Sequence, residues 1–512
     1  MKKNRITKTL LFNICIFLIM VLFFTKICPV IPFDGDDWYF NGSIRLPFPM
    51  WRIFNPIKVL PEVLEPIGGY IGAYIVYPIT NDYIGAISTT QAIIISLFIV
   101  MLFYNFYDFV RNKYNKSEIE SILFEAIFAM FFFFIFKKSG GKSYYGFWAT
   151  DLNCYFNYII PGALNATIIL IMAKYNDFID EFKSWNYYKK GIFLVGIYFS
   201  IFSSIQLSII LSGYCSWIIL RNLYKIFKRR ENKKIIQIIQ ETGLVYFIIE
   251  FLWLISLLFE QSGKRAAGIS RESWITKQNI FNVAKNFLSL YKQTNKIFLV
   301  IILILIVMLL IQMIRNNTKK KNITILFIET VYIFIITFAY LFILYMKAGA
   351  NYANRPDATW AIIFYIVLYS NIYLIVVLDH IVQLKVIIPL TITLLCIMTV
   401  NMNYRFEQSV FDYKTAKKIN ETIINQIVEA DKAGNNYVEV QVPDYKNNKS
   451  NWPQPYNMAI WMQNTLYSHN IITKRMKIVF VKNAQMYDKL YNANETSNES
   501  YYDFERGTYI KE

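Results

Sequence analysis

The stretch Asp34-Gly35-Asp36-Asp37-Trp38-Tyr39 sets three carboxylates within four positions and follows them with two aromatic rings. Neighbouring carboxylates raise one another's pKa, and partial loss of water raises it further, which suits a general base acting on a hydroxyl. An aromatic pair beside such a base fits the face of a sugar, so Trp38 and Tyr39 are read as a sugar or acceptor platform. Asp36 is the first candidate for the proton, Asp37 the second, and Asp34 stands beside them. The competing reading is a capped helix start at a membrane surface, decorated with acids.

Other stretches offer matching chemistry. Gly146 to Tyr158 is dense in amides and rings, and Trp148, Asp151 and Asn157 are its candidates for holding sugar or acceptor. Its bland reading is an interfacial aromatic belt. Gly263-Lys264-Arg265-Ala266-Ala267-Gly268 with Arg271 joins pliable backbone to three cations, a composition suited to a phosphate. Arg355, within Asn351-Tyr352-Ala353-Asn354-Arg355-Pro356-Asp357, is a further candidate phosphate ligand that would close the site. Gln206 reads either as a helix–helix hydrogen bond or as a neighbour of the site.

These residues need elements that bring them together. Of the 512 residues, 55% are hydrophobic and 17% charged, so the chain reads as an α-helical polytopic membrane protein. The net charge of +18 would point a soluble protein toward nucleic acid, but here the basic residues fall in short connections between apolar runs, the positive-inside pattern. Five scattered cysteines without metal spacing read as packing residues. Two histidines, His380 and His469, leave little room for histidine-dependent acyl transfer.

The runs predict about eleven transmembrane helices: 9–30, 84–106, 119–136, 158–173, two within 191–220, 238–259, 296–314, 323–345, 360–378 and 386–402. The membrane domain is then 1–402, with its N-terminus inside and extracytoplasmic loops at 31–83, 137–157, 260–295 and 347–359. All the candidate residues named above fall on that one side. Residues 403–512 predict a small extracytoplasmic α/β domain, with helices at 413–433 and 457–469, strands at 437–442 and 476–481, and a short helix at 484–491.

An uncleaved first span followed by the acidic Asp34 to Tyr39 loop, the aromatic Trp148 to Tyr158 loop, and the Gly263 to Arg271 loop resemble the GT-C superfamily of membrane glycosyltransferases. Within it the chain looks most like bacterial GtrII-like glucosyltransferases and a related multi-span family. The resemblance implies an inverting transfer of sugar from a polyprenyl-phosphate donor to a surface glycan or lipid-linked acceptor, at the outer face of the cytoplasmic membrane. An aspartate of the first loop would be the base, and Lys264, Arg265, Arg271 and Arg355 would hold the donor phosphate. Gln206 falls where many relatives carry a second acid, which leaves a catalytic divalent metal open; no other cofactor is implied. The rival readings are a lipid-linked saccharide flippase or transporter, which calls for charges inside spans such as Glu125 and Glu250, and a polysaccharide polymerase or ligase.

Overall fold

The computed structural model describes residues 2–45, 55–139, 142–228, 242–262, 274–315, 317–378, 402–406, 413–443, 459–483, 501–503 and 508–510, with single positions 237, 239 and 399. In the first half, α1 (Lys2–Leu22) runs into a π turn and a short loop, which lead to α2 (Gly35–Gly42). The chain continues through α3 (Val59–Ile71), α4 (Tyr77–Thr80), α5 (Tyr83–Lys113) and α6 (Glu118–Phe134). A minimal hairpin of β1 (Lys138–Ser139) and β2 (Lys142–Ser143) precedes α7 (Leu152–Cys154) and α8 (Ile160–Ala173). Then come α9 (Phe178–Ser184), α10 (Tyr187–Ser203), α11 (Ile205–Lys228) and α12 (Leu244–Ser262). The last membrane-region helices are α13 (Lys277–Lys292), α14 (Lys296–Arg315), α15 (Asn317–Ala348) and α16 (Trp360–Leu378).

Local signals set several of these boundaries. Asp82 starts α5 by accepting the Gly85 N–H at 2.9 Å, and Ser117 with Glu120 forms a reciprocal capping box on α6. Asn81 and Asn115 take the left-handed turns flanking α5, a conformation asparagine tolerates better than most residues.

Seven helices among the described residues are long and apolar enough to cross a membrane: Lys8–Ile27, Tyr83–Lys113, Leu152–Ala173, Leu244–Gln261, Lys296–Arg315, Lys320–Ala348 and Trp360–Leu378. The fold is thus that of a helical multi-pass membrane protein. Three more of the eleven expected segments are present as helices with weaker spanning character. α6 and α10 have only 17 residues each, and α11 carries Ser208, Ser212, Ser216 and Arg221 along its length. The eleventh segment, 386–402, lies almost wholly outside the described residues.

Burial separates centre from periphery. The spans ending in α8 and formed by α16 are 83% and 78% buried, against 17% for those of α12 and α14. A helix apolar on all sides with most of its surface uncovered by protein suits a lipid-facing position. The centre is aromatic: Phe106 stacks on Phe128 at 3.9 Å, and Phe132 lies parallel to Trp360 at 5.8 Å.

Beyond the bundle, α17 (Tyr413–Lys432), β3 (Tyr437–Pro443), α18 (Ala459–Ser468) and β4 (Lys477–Asn483) follow the expected order, and β3 pairs with β4 in parallel over seven residues. Parallel pairing requires a crossover, which the connection containing α18 supplies. A small hairpin of β5 (Tyr501–Asp503) and β6 (Thr508–Ile510) ends the chain's described part, and the expected 484–491 helix lies outside it. The hydrophobic centre of this module is not its own. Ile419, Ile423, Val440, Met462 and Leu466 share one cluster with Ile31, Phe33, Trp38, Ile84 and Ile87 from the bundle's end.

Candidate functional site

The four expected loops meet at one end of the bundle. The Lys137 N–H donates to the Gln293 carbonyl, Asn279 reaches the Met346 carbonyl, Thr150 binds Asp357, and Asn153 joins the loop after α1 to α3. Asp34 is the N-cap of α2, and its Oδ1 accepts the Asp36 and Asp37 N–H groups at 2.9 and 3.3 Å. One turn of helix therefore sends the three acids in different directions.

Asp37 points inward and is fully buried. Its Oδ2 accepts the Phe33 N–H at 2.5 Å and its Oδ1 the Asn153 N–H at 2.7 Å, so it ties the loop to the start of α7. Both oxygens being held by backbone inside protein, this aspartate positions the loop and is not open to an acceptor hydroxyl. Asp36 is exposed. Asp34 is half-buried, and its pKa is pushed up to about 7, first by burial and then by the nearby charges of Asp151 and Asp36.

Beneath them lies an acid that sequence reasoning passed over. Glu65 on α3 is completely buried and accepts Asn153 Nδ2 at 2.8 Å and Asn41 Nδ2 at 3.2 Å. Gln91 of α5 completes the frame, donating to Asn41 Oδ1 at 2.9 Å and to the Glu65 carbonyl at 2.8 Å. Burial holds the Glu65 carboxyl well above the usual range; the Asn153 hydrogen bond opposes that, and Asp151, Asp36 and Asp34 add to it. The available signal was the face of α3 itself, where Glu65 sits among Val59, Pro61, Pro66, Gly68 and Gly69. An acid on a face otherwise built for close packing needs a polar partner across it.

Asp151 caps α7 by accepting the Cys154 N–H at 2.7 Å, and its pKa is raised by burial against the pull of Arg355. Arg355 forks onto Asp357, with Nη2 to Oδ2 at 2.7 Å and Nε to Oδ1 at 3.1 Å, and its guanidinium lies between the rings of Tyr158 and Tyr352. Burial by itself would weaken the proton's hold on this guanidinium, but the Asp357 charge outweighs it and keeps Arg355 cationic. Asp357 is buried and also takes the Thr150 hydroxyl at 2.9 Å.

Two ring expectations are corrected. Trp38 is fully buried in the core shared with the C-terminal module, and Trp148 is buried edge-on to Tyr144 at 4.6 Å, so neither presents a face to a ligand. Tyr39 is partly exposed but meets Trp461 edge-on at 4.6 Å, at the module's contact with α2. Asn157 is buried and donates to the Asn153 carbonyl and side chain, buttressing the residue that grips Asp37 and Glu65. Gln206 stands at the start of α11 with Ser204 donating to it at 3.2 Å, and among the described residues no hydrogen bond joins its side chain to the acids. Lys264, Arg265 and Arg271 lie outside the described residues. Among the described residues no three His, Cys, Asp or Glu side chains converge as metal ligands.

The C-terminal module reaches this frame through His469. Its buried ring donates from Nε2 to the Asn41 carbonyl at 2.9 Å and accepts from the Tyr83 hydroxyl at Nδ1, 2.7 Å away, a tautomer set by the carbonyl, which can only accept. No protein-family model, curated protein or solved structure matches the chain.

Proposed function

We propose that this protein transfers a sugar from a polyprenyl-phosphate donor to a surface glycan or lipid-linked acceptor, working at the outer face of the cytoplasmic membrane. The observation that carries this reading is Asp34. It is a carboxyl poised near neutrality, beside the exposed Asp36, at the end of a lipid-embedded bundle where four loops meet. A general base works best with a pKa near the ambient pH. In the proposed step Asp34 takes the acceptor hydroxyl's proton while that oxygen bonds to the sugar's anomeric carbon. The bond from that carbon to the phosphate oxygen breaks, and its electron pair leaves with the polyprenyl phosphate. Burial and the neighbouring acids favour Asp34 over Asp36 for this role, and Asp36, open to water, suits the acceptor's approach.

Arg355 is committed to Asp357, so its part is to steady Asp151 and the rim of the site. The leaving phosphate falls to Lys264, Arg265 and Arg271, a role resting on their sequence alone.

The test is sugar transfer from radiolabelled polyprenyl-phosphate sugars by membranes carrying the protein. Asp34→Asn is expected to lower the rate ~100-fold or more, with membrane insertion unchanged. The unaltered protein's rate should climb with pH through about 7, as Asp34 loses its proton, and level off above it. Transfer by Asp34→Asn at full rate, or a rate flat between pH 5 and 9, would remove Asp34 from the mechanism. Movement of labelled lipid across the membrane with no new glycosidic bond would favour the transporter.

A further inference from the structure

At the other end of the bundle lies a cavity of about 880 Å³, walled by the C-terminal halves of α5, α8, α11 and α16, by α9 and by the first turns of α15. Lys113 follows Gln91 on α5 by 22 residues, so this cavity is about 33 Å from the acidic frame, the thickness of a bilayer's apolar layer. Its volume is of the size that holds a small organic ligand.

The charges lining it are unequally served. Glu329 is engaged by protein donors, accepting Trp217 Nε1 at 2.8 Å and the Tyr369 hydroxyl at 3.1 Å. Asp177 caps α9 through the Ile179 and Asp180 N–H groups. Among the cations, Lys183 pairs with Asp180 at 2.9 Å, whereas Lys113 and Arg221 have no ion pair among the described residues and feel Glu329 only through space. Lys113 donates only to the neutral Asn176 Oδ1, at 3.2 Å. Arg221 makes no hydrogen bond or ion pair among the described residues, and its Nε is buried without an acceptor. Two cations beside one cavity repel, and a buried N–H without an acceptor costs free energy. An anion between them relieves both. Arg221 is not serving as a cap on α11 either, since no carbonyl takes its protons.

We propose that this cavity is a binding site for a phosphate group, with the Arg221 fork as its main ligand and Lys113 as the second cation at the mouth. A planar guanidinium beside an ammonium matches the oxygens and charge of a phosphate. Ile169, Met172, Ile218 and Leu368 line the same cavity, so an apolar body attached to the phosphate also finds a surface. The phosphate is therefore either a lipid headgroup or a free ion.

Purified full-length protein, titrated by calorimetry with inorganic pyrophosphate and separately with dioctanoyl phosphatidic acid, distinguishes the two. Saturable binding that weakens with added salt is expected for at least one probe. Phosphatidic acid alone identifies a lipid headgroup, and binding of pyrophosphate identifies a site open to the free ion. Arg221→Gln is expected to weaken binding tenfold or more and Lys113→Gln several-fold, with Lys189→Gln, an exposed residue outside the cavity's lining, leaving it unchanged. Should Arg221→Gln not fold, the exposed Lys113 decides by the same measurement. Binding of neither probe, or undiminished binding in both the Arg221 and Lys113 variants, overturns the proposal.

Discussion

The two ends of the bundle treat charge in opposite ways. At the acidic end, buried carboxylates are gripped by amides: Asn41 and Asn153 hold Glu65, Gln91 holds Asn41, and the Asn153 and Phe33 backbone groups hold Asp37. At the basic end the acids are equally well served, but Arg221 and Lys113 have no hydrogen-bonded carboxylate among the described residues, feel Glu329 only through space, and border open space. A satisfied polar network fixes geometry, whereas unsatisfied charge beside a cavity leaves room for a partner. The first arrangement suits a site that must hold a reactive group still, and the second suits one that takes its missing charge from a ligand.

The sharpest way to break the comparison is to wedge the acidic frame open without touching a charge. An added Cβ at Gly69 would run into the Asn41 backbone carbonyl, which cannot yield as a flexible side chain does. Gly69→Ala is expected to cost at least about 3 kcal/mol, read from thermal unfolding in detergent, and to abolish sugar transfer. Phosphate binding at the basic end should persist wherever the variant remains folded.

The next effect is a dependence on pH confined to the acidic end. Burial lowers the His469 pKa from 6.5 to about 4. Below pH 6.5 the unfolded chain takes up a proton that the folded His469 refuses, so the contribution of this residue to stability falls as pH drops from 6.5 toward 4. The full loss is on the order of 3 kcal/mol. Asp34, with its raised pKa, contributes with the opposite sign over the same interval in both proteins, so the difference in stability between the unaltered protein and His469→Gln, which has no proton to gain, should carry this slope when unfolding is followed across that interval. A slope unchanged in the variant would assign the effect to other groups. The smallest effect is at the basic rim, where Lys183 and Asp180 form an exposed pair across one helical turn. Lys183→Ala is expected to leave the unfolding temperature unchanged, since water screens such pairs.

What the sequence makes legible follows the range of the interactions. Helix α17, the β3 and β4 strands and α18 lie within a few residues of their expected positions, because each shows its own periodicity. The acidic loop stands out because three acids beside an apolar run are conspicuous. Trp38 is different: whether a ring beside acids faces a sugar or a core depends on Met462 and Leu466, more than 400 positions later. Glu65 was hidden for the same reason, its partners Asn41, Gln91 and Asn153 coming from three separate elements. Asp36 and Asp37 are neighbours in sequence, and only the direction of one helical turn makes the first exposed and the second buried.

The contact between His469 and Asn41 joins residues 428 positions apart. At about 5–20 residues per second of synthesis, the first loop leaves the ribosome roughly 20–90 s before its partner exists. During that interval Trp38 has no core to enter, and Asn41 lacks the module that braces it. The bracing of the acidic frame is thus deferred until α18 and His469 have been made, and a chain that stops short of α18 lacks the His469 hydrogen bond to Asn41.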